Sequence, residues 1–399
     1  MNILILRSSF QTDDFVCTEY ADLLGLLKNK CNAEITILGD ESVETCQGAS
    51  LQNVDFVMVA TGGVENLFKT IWSTGSLKAT TLIADGRNNS LAASLEILSY
   101  LSENGQEGRI LHGTNENIVQ EIVETRFIAS PPCNNNVSRI FSGTRIGVFG
   151  NPSDWLIASG VDYDYIRERF GIETVFIELQ RLVDGIGASE KTDMLMADKT
   201  YSAIKKICQE ERLDAMTIRC FDIVKACNTT SCLALARLND EGIVAGCEGD
   251  MQTLMTMFLA KKLLNEPAFM ANPSILTDKT SMFAHCTVPL SMCYKTTMRT
   301  HFESGIGVAV QGDLPLGDYT IMKWGGRKLD KFFVTEAKAI KNEYSNHFCR
   351  TQITFDINLK PYLLNHPIGN HHVIIRGRHA EEIRRFMKEN GINSLEFKV

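Results

Sequence analysis

Over the first third of the chain, short apolar runs alternate with longer segments whose apolar residues recur at helical spacing. Asn2–Leu6, Glu34–Leu38, Val54–Ala60, Thr80–Ala84 and Arg109–Leu111 read as strands, and Phe15 to Leu27, Leu91 to Leu101 and Ile118 to Arg126 as helices. Strands this short and uniformly apolar, with a helix between each pair, predict a parallel sheet covered on both faces. Ser130-Pro131-Pro132-Cys133-Asn134-Asn135-Asn136 interrupts the pattern as a linker. The alternation then restarts. Strands are expected at Arg145–Gly150, Thr174–Ile177, Ala215–Cys220 and Ile243–Gly246, and helices at Asp198–Cys208, Cys232–Leu238 and Met251–Leu264. Beyond Pro267 the texture turns to β, with runs at Thr287-Val288, Ile306–Val310, Tyr319–Met322, Phe332–Val334, Gln352–Phe355 and Val373–Ile375 separated by Gly and Pro turns. A helix over Glu381–Lys388 closes the chain. The expected fold class is α/β: two consecutive doubly wound, flavodoxin/Rossmann-like parallel-sheet domains (1–138 and 139–266), then a β-rich, barrel-like C-terminal domain (267–399).

Composition narrows the picture. The 399 residues are 44% hydrophobic and 22% charged, enough apolar surface to offset ordering entropy over the whole length. A net charge of −8 without any long Lys/Arg run argues against nucleic acid or an anionic membrane as partner. Met1–Arg7 is too short and polar-flanked for an export signal, and no apolar run approaches the roughly 20 residues of a bilayer span, so a cytoplasmic protein is expected. The 12 cysteines are then thiols, most of them small buried hydrophobes. Structural zinc is disfavoured, because Cys227 and Cys232 have no second pair to complete a tetrahedral site.

The first strand runs into Arg7-Ser8-Ser9-Phe10 and the second domain's first turn is Gly150-Asn151-Pro152. Neither is a dinucleotide fingerprint, and no Walker A motif occurs, so no nucleotide cofactor is expected. Thr61-Gly62-Gly63 follows a strand, where open sheets bind ligands, although a structural turn explains it equally well. The strongest local signal is Gly246-Cys247-Glu248-Gly249-Asp250, two carboxylates two residues apart just before a helix. On extended backbone they would face one cavity and suit a hard divalent ion; as helix-terminal residues, one would be an N-cap and the other merely solvated. Asp222, at the end of the preceding strand, would share their sheet edge, unless it simply pairs with Arg219. Gly369-Asn370-His371-His372 enters an apolar strand, where adjacent histidines point to opposite faces and at most one reaches a given metal. Two or three carboxylates with one imidazole would make a mostly oxygen site suited to Mn²⁺.

Taken together, Arg219-Cys220-Phe221-Asp222, Asn239-Asp240-Glu241-Gly242-Ile243, Gly246–Asp250 and Gly369–His372 resemble the L-fucose isomerase/L-arabinose isomerase superfamily, in particular its shorter fucose isomerase-like branch. His285-Cys286-Thr287-Val288-Pro289 and His301-Phe302-Glu303-Ser304-Gly305 strengthen the likeness. The resemblance implies a metal-dependent aldose–ketose isomerase acting on a small sugar, an L-fucose-like 6-deoxy-hexose or related aldose, through a metal-stabilised ene-diolate. It also implies Mn²⁺ or another divalent cation as cofactor and a homo-oligomer, trimer or hexamer. On the fucose isomerase pattern the ligands are Asp222, Asp250 and His371, with Asp222 and Asp250 also carrying protons; Asp222 stands where that pattern has Glu. On the arabinose isomerase pattern they include Glu248, His372 and His285, while Phe269–Asn272 offers no acid for a further Glu. The fucose pattern is the primary expectation, with Glu248, His372 and His285 as additional ligands or supporting groups. The alternative is a non-catalytic sugar-binding or regulatory protein on an isomerase scaffold.

Overall fold

The computed structural model describes residues 1–39, 51, 54–75, 77–124, 141–187 and 193–395. Both expected parallel sheets are present. In the first, β1 (Asn2–Arg7), β2 (Glu34–Gly39), β3 (Phe56–Val59), β4 (Thr81–Ile83) and β5 (Arg109–Leu111) lie in the order β2-β1-β3-β4-β5. In the second, β6 (Arg145–Phe149), β7 (Glu173–Ile177), β8 (Ala215–Ile218) and β9 (Val244–Gly246) lie in the order β7-β6-β8-β9. All their pairings are parallel. The strand order reverses beside β1 and beside β6, so the ends of β1, β3, β6 and β8 frame the crevices where such sheets take ligands. The linker expected at 130–136, the boundary near 138 and the end of the helix expected to reach Arg126 fall outside the described residues.

The C-terminal part comprises β10 (Ala268–Leu276), β11 (Ser281–His285), β12 (Lys295–Arg299), β13 (Ala309–Asp313), β14 (Gly317–Gly325), β15 (Lys331–Glu343), β16 (Thr351–Asp356), β17 (His372–Arg376) and β18 (Asn393–Ser394). Antiparallel pairing in the order β14-β17-β10-β11-β16-β15, closed by β15 on β14, makes a six-stranded barrel. Strands β12 and β13 form a separate hairpin. Thr287-Val288 is not a strand, and the run expected from Ile306 begins only at Ala309. Strands β10 and β11 escaped the hydrophobic pattern because Asn272-Pro273-Ser274 looks like a turn. The register shift between Pro273 and Ile275 places this proline at a bulge, where its missing N–H disrupts little.

One hydrophobic core runs from the second sheet into the barrel through Met251, Met255, Phe258, Met270 and Trp324. Another joins the first sheet to the barrel through Leu91, Leu95, Phe269, Phe283 and Ile374. The barrel thus holds the two α/β layers at fixed positions around one end of its strands. The ten described cysteines are free thiols, most of them buried. Among the described residues no helix is long and apolar enough to cross a membrane.

Candidate metal centre

Strand β9 ends at Gly246, and after four intervening residues the helix Met251–Leu264 begins. Between them Glu248 and Gly249 take left-handed backbone, with φ of 61° and 74°. For Glu248 this costs on the order of 1–2 kcal/mol, and it swings the carboxylate off the line that extended backbone would give. Asp250 then caps the helix, its Oδ1 accepting the Thr253 N–H at 2.8 Å. The turn rests on the loop after β6: Ser153 N–H donates to Glu248 O at 3.0 Å, and a Cβ on Gly249 would lie 2.6 Å from Pro152 Cα. Gly249→Ala is therefore expected to destabilise the fold by more than about 1 kcal/mol and to weaken cation binding. Thermal unfolding and calorimetry check both; an unchanged Tm would show that the turn relaxes.

The barrel brings two histidines to the same level. Strand β10 pairs its first half with β17 and its second half with β11, so the start of β17 and the end of β11 meet beside Ala271 and Asn272. His371 and His285 sit there, with ring centroids 5.3 Å apart. Glu248 Oε1 lies 3.5 Å from His371 Nε2 and 3.7 Å from His285 Nε2. Ligand atoms of all three residues lie within 4.8 Å of one another. Donors sharing one cation at about 2.0–2.2 Å are spaced in this range.

Each ligand candidate is held from behind. Trp155 Nε1–H donates to Glu248 Oε2 at 2.7 Å, and His285 Nδ1 is 2.8 Å from Thr287 Oγ1. His371 Nδ1 is 2.9 Å from Asp250 Oδ2, which also accepts the Thr253 hydroxyl at 2.6 Å and has Lys323 Nζ 3.6 Å away. Lys323, fully buried, donates to Thr253 Oγ1 at 2.7 Å. An Nδ1–H on the carboxylate leaves Nε2 as the free face of His371, and this buried atom makes no hydrogen bond, only the ionic contact with Glu248 at 3.5 Å. A buried polar atom without a hydrogen bond is costly, so its position beside Glu248 and His285 fits a cation. One carboxylate and two imidazoles suit a divalent first-row metal with open coordination positions. Burial alone would raise the Glu248 pKa, yet His371 and His285 hold it well below the usual carboxylate range. Asp250, fully buried, is held at about 2 by Lys323, His371 and Thr253 against the effect of burial. Burial would lower His371, but Glu248 and Asp250 raise it to about 9.

The arrangement departs from the expected fucose pattern. Strand β8 ends at Ile218 and Cys220 already opens the helix Cys220–Cys227, so Asp222 lies in a first helical turn rather than at a strand end. It faces Arg219 Nε at 2.7 Å with its side chain 36% exposed, apart from the ligand cluster. Asp250 supports His371 from behind instead of facing Glu248 and His285. The expected mostly-oxygen donor set thus becomes one rich in nitrogen. His372 points to the opposite face, as alternation requires: its Nδ1 is 2.9 Å from Asn370 O and its Nε2 2.9 Å from Tyr362 OH, and burial drives its pKa down to about 3. Both of its ring nitrogens are thus engaged within the protein.

A cavity of about 220 Å³ opens beside the cluster, and all three parts of the chain wall it. The second sheet supplies Trp155, Phe221 and Glu248, and the C-terminal part supplies Asn272, Phe302, Glu303 and Asn370. Ser8, Thr61, Gly62, Gly63 and Glu65 come from the carboxyl edge of the first sheet. Sequence reading missed Trp155, Glu65 and Asn272, and assigned Glu303 no role. Trp155 and Glu65 do follow strands of parallel sheets, the edge where ligands bind. Glu303, an exposed residue at the cavity mouth, accepts a hydrogen bond from Asn89 Nδ2, and partial desolvation of its carboxyl against the wall, with Glu248 nearby, raises its pKa above the ordinary range.

No family model matches the chain. It is 30% identical over 222 residues to sulfoquinovose isomerases of Priestia megaterium and Priestia aryabhattai, covering 47% of this chain and 49% of each relative. To the sulfoquinovose isomerase of Alkalicoccus urumqiensis it is 23% identical over 267 residues, 59% of both chains. The chain spans about half the length of the curated relatives it matches.

Proposed function

We propose that this protein is a divalent-cation-dependent aldose–ketose isomerase acting on a small sugar, on the pattern of the L-fucose/L-arabinose isomerase superfamily. The observation that carries this is the convergence of Glu248, His285 and His371 beside a sugar-sized cavity, with His371 Nε2 left without a hydrogen bond. The motif resemblance and the likeness to sulfoquinovose isomerases support the same chemistry. Glu248, His285 and His371 would hold the cation, which supplies a Lewis acid for the adjacent oxygens of an enolised sugar. Mn²⁺ is the ion to test first.

Moving a carbonyl between C1 and C2 requires a proton to leave one carbon and reach the other. With Asp222 turned to Arg219, both oxygens of Asp250 engaged and Glu65 buried in the wall, we assign that transfer to Glu303, the cavity carboxyl open to solvent. Its carboxylate takes the C2 proton as the C–H electron pair forms the C1=C2 bond and the C1=O π pair moves onto O1; the O2 hydroxyl proton then passes to O1 as C2=O forms, and the C1=C2 pair takes a proton from the Glu303 carboxyl at C1. Asn89 orients it, and the pKa shift places it near neutral pH, where a proton carrier is most effective. Trp155 and Phe221, ring centroids 5.1 Å apart, exclude water from that side.

Incubation with Mn²⁺ and a panel of aldoses in D₂O, followed by NMR, is expected to show ketose, with deuterium at C1 in the fraction of turnovers in which the Glu303 carboxyl exchanges with solvent before it protonates C1. Glu303→Gln should lower kcat by about 10²–10⁴-fold with little change in KM. Absence of ketose from every aldose would overturn the proposal. Full activity of the Glu303 variant would remove this residue from it.

A further inference from the structure

The helix Ser90–Glu103 of the first α/β part is buried at every residue from Ser90 to Ser99. Glu96 stands in the middle of this run between Leu95 and Ile97, itself fully buried. A buried carboxylate is costly unless donors meet it, and here they come from another part of the chain. Glu96 Oε1 accepts the Ala158 N–H at 2.7 Å and the Ser159 N–H at 2.6 Å, and Oε2 accepts the Ser159 hydroxyl at 2.9 Å. Burial and the nearby Asp250 raise its pKa, while Lys323 and these donors oppose the rise. Gln252 holds the same stretch by its carbonyls, its Nε2 donating to Ala158 O at 2.9 Å and to Gly160 O at 3.1 Å. The stretch needs such ties, because residues 150–162 contain neither helix nor strand. Its other end touches the cation site, where the Ser153 N–H donates to Glu248 O and Trp155 Nε1–H to Glu248 Oε2.

The same side of the helix reaches the other half of the site. Ser99, three residues beyond Glu96 and so on one face with it, accepts the Gly369 N–H at 2.9 Å through its hydroxyl oxygen. Gly369 passes so close that a Cβ there would lie 3.0 Å from Ser159 Oγ and 3.3 Å from Glu96 Oε2, and His371 follows two residues later. At the start of the helix the N-cap residue Asn89 donates to Glu303.

We infer that Glu96 is a positioning residue for the cation site: its carboxyl group ties down the segment that carries Trp155, and Trp155 in turn holds Glu248 opposite His371 and His285. The inference rests on the reading above in taking those three side chains as the cation's ligands. It gives the first α/β part, which supplies none of the three, a part in setting the affinity. Without the Glu96 acceptors, Ala158 and Ser159, both buried, would each keep an unpaired N–H. The segment then relaxes toward water, Trp155 moves with it, and Glu248 loses the donor that fixes its second oxygen.

Calorimetric titration of the full chain with Mn²⁺ tests this. Glu96→Met, which keeps the length and removes both acceptors, should weaken Mn²⁺ binding about tenfold, the low end of the range for groups that act behind a ligand. Glu96→Gln, whose amide oxygen still accepts both N–H groups, should restore the affinity to within about threefold of the unaltered protein. Ser94→Ala, equally buried on the same helix with its hydroxyl donating to Ser90 O, should leave the affinity unchanged. The indole Nε1–H resonance of Trp155, identified by its loss in Trp155→Phe, reads the tie without any cation. Glu96→Met should shift it, while the Trp72 resonance stays in place. If Glu96→Met does not fold, Glu96→Asp, which draws the oxygens back by about 1.5 Å, should reproduce both changes at smaller amplitude and is judged in the same way. An unchanged Mn²⁺ affinity in the folded variant, or an equal loss in Glu96→Gln, would overturn the inference while leaving the isomerase reading intact. If the unaltered protein takes up no Mn²⁺, that reading fails, and the Trp155 resonance decides the tie separately: a shift in Glu96→Met supports it, and an unmoved signal overturns it.

Discussion

Glu248→Gln is expected to weaken Mn²⁺ binding by at least about a hundredfold, because it removes the negative charge from the site where two imidazoles and one carboxylate oxygen converge. The variant keeps the shape, and its amide oxygen can still accept from Trp155, so the fold should survive. Asp250→Asn is expected to cost about 10–100-fold, the usual range for a group that orients a ligand from behind. It leaves Glu248 and His285 in place and loosens only the tautomer and tilt of His371. Asp222→Asn should change the affinity by less than about twofold, since that carboxylate is engaged by Arg219. Calorimetric titration of the three variants separates the two ligand patterns. Metal lost with Asp222 and retained without the Glu248 charge would restore the pattern expected from sequence and sink the one drawn from the fold.

Cation affinity should also climb with pH, by about tenfold per unit between roughly pH 6.5 and 8.5. In the cation-free protein His371 has a pKa of about 9, because Glu248 and Asp250 outweigh the effect of burial. Its Nδ1–H stays on Asp250, so the proton that a cation must displace is the one on Nε2. The sign for stability follows from the same shift. A histidine whose folded pKa exceeds the ordinary 6.5 stabilises the fold fully below that value, and the contribution is lost as pH rises through about 9. The Tm gain produced by Mn²⁺ should therefore be small at pH 6 and larger at pH 8.5. Titrations in buffers of different ionisation enthalpy should show about one proton released per cation below pH 8. An affinity independent of pH would mean that His371 Nε2 is neutral before the metal arrives, and would remove the linkage.

Much of the scaffold is legible without coordinates. The helix Met251–Leu264 coincides with its sequence-based bounds, because Asp250 supplies an N-cap directly before an apolar segment. The parallel strands fall within one or two residues of expectation, since burial on both faces leaves continuous apolar runs. Strand β10 was illegible because a proline at a bulge imitates a turn.

The site divides along the same physical line. That two carboxylates precede one helix, and that one of two adjacent histidines faces a cavity while the other turns away, follows from spacing along the chain. Such statements depend only on backbone periodicity over a few residues. Which carboxylate faces the histidines does not. Two residues of strand read too far along β8 rotate Asp222 onto Arg219, and one left-handed residue turns Glu248 toward the barrel. His285 joins His371 only because β10 offsets its two neighbours by half its length, a register set by barrel closure. The cavity wall formed by Ser8, Thr61 and Glu65 comes from residues more than 180 positions before Glu248. No local pattern carries such a meeting; it exists only because two separate cores clamp both α/β layers against one barrel.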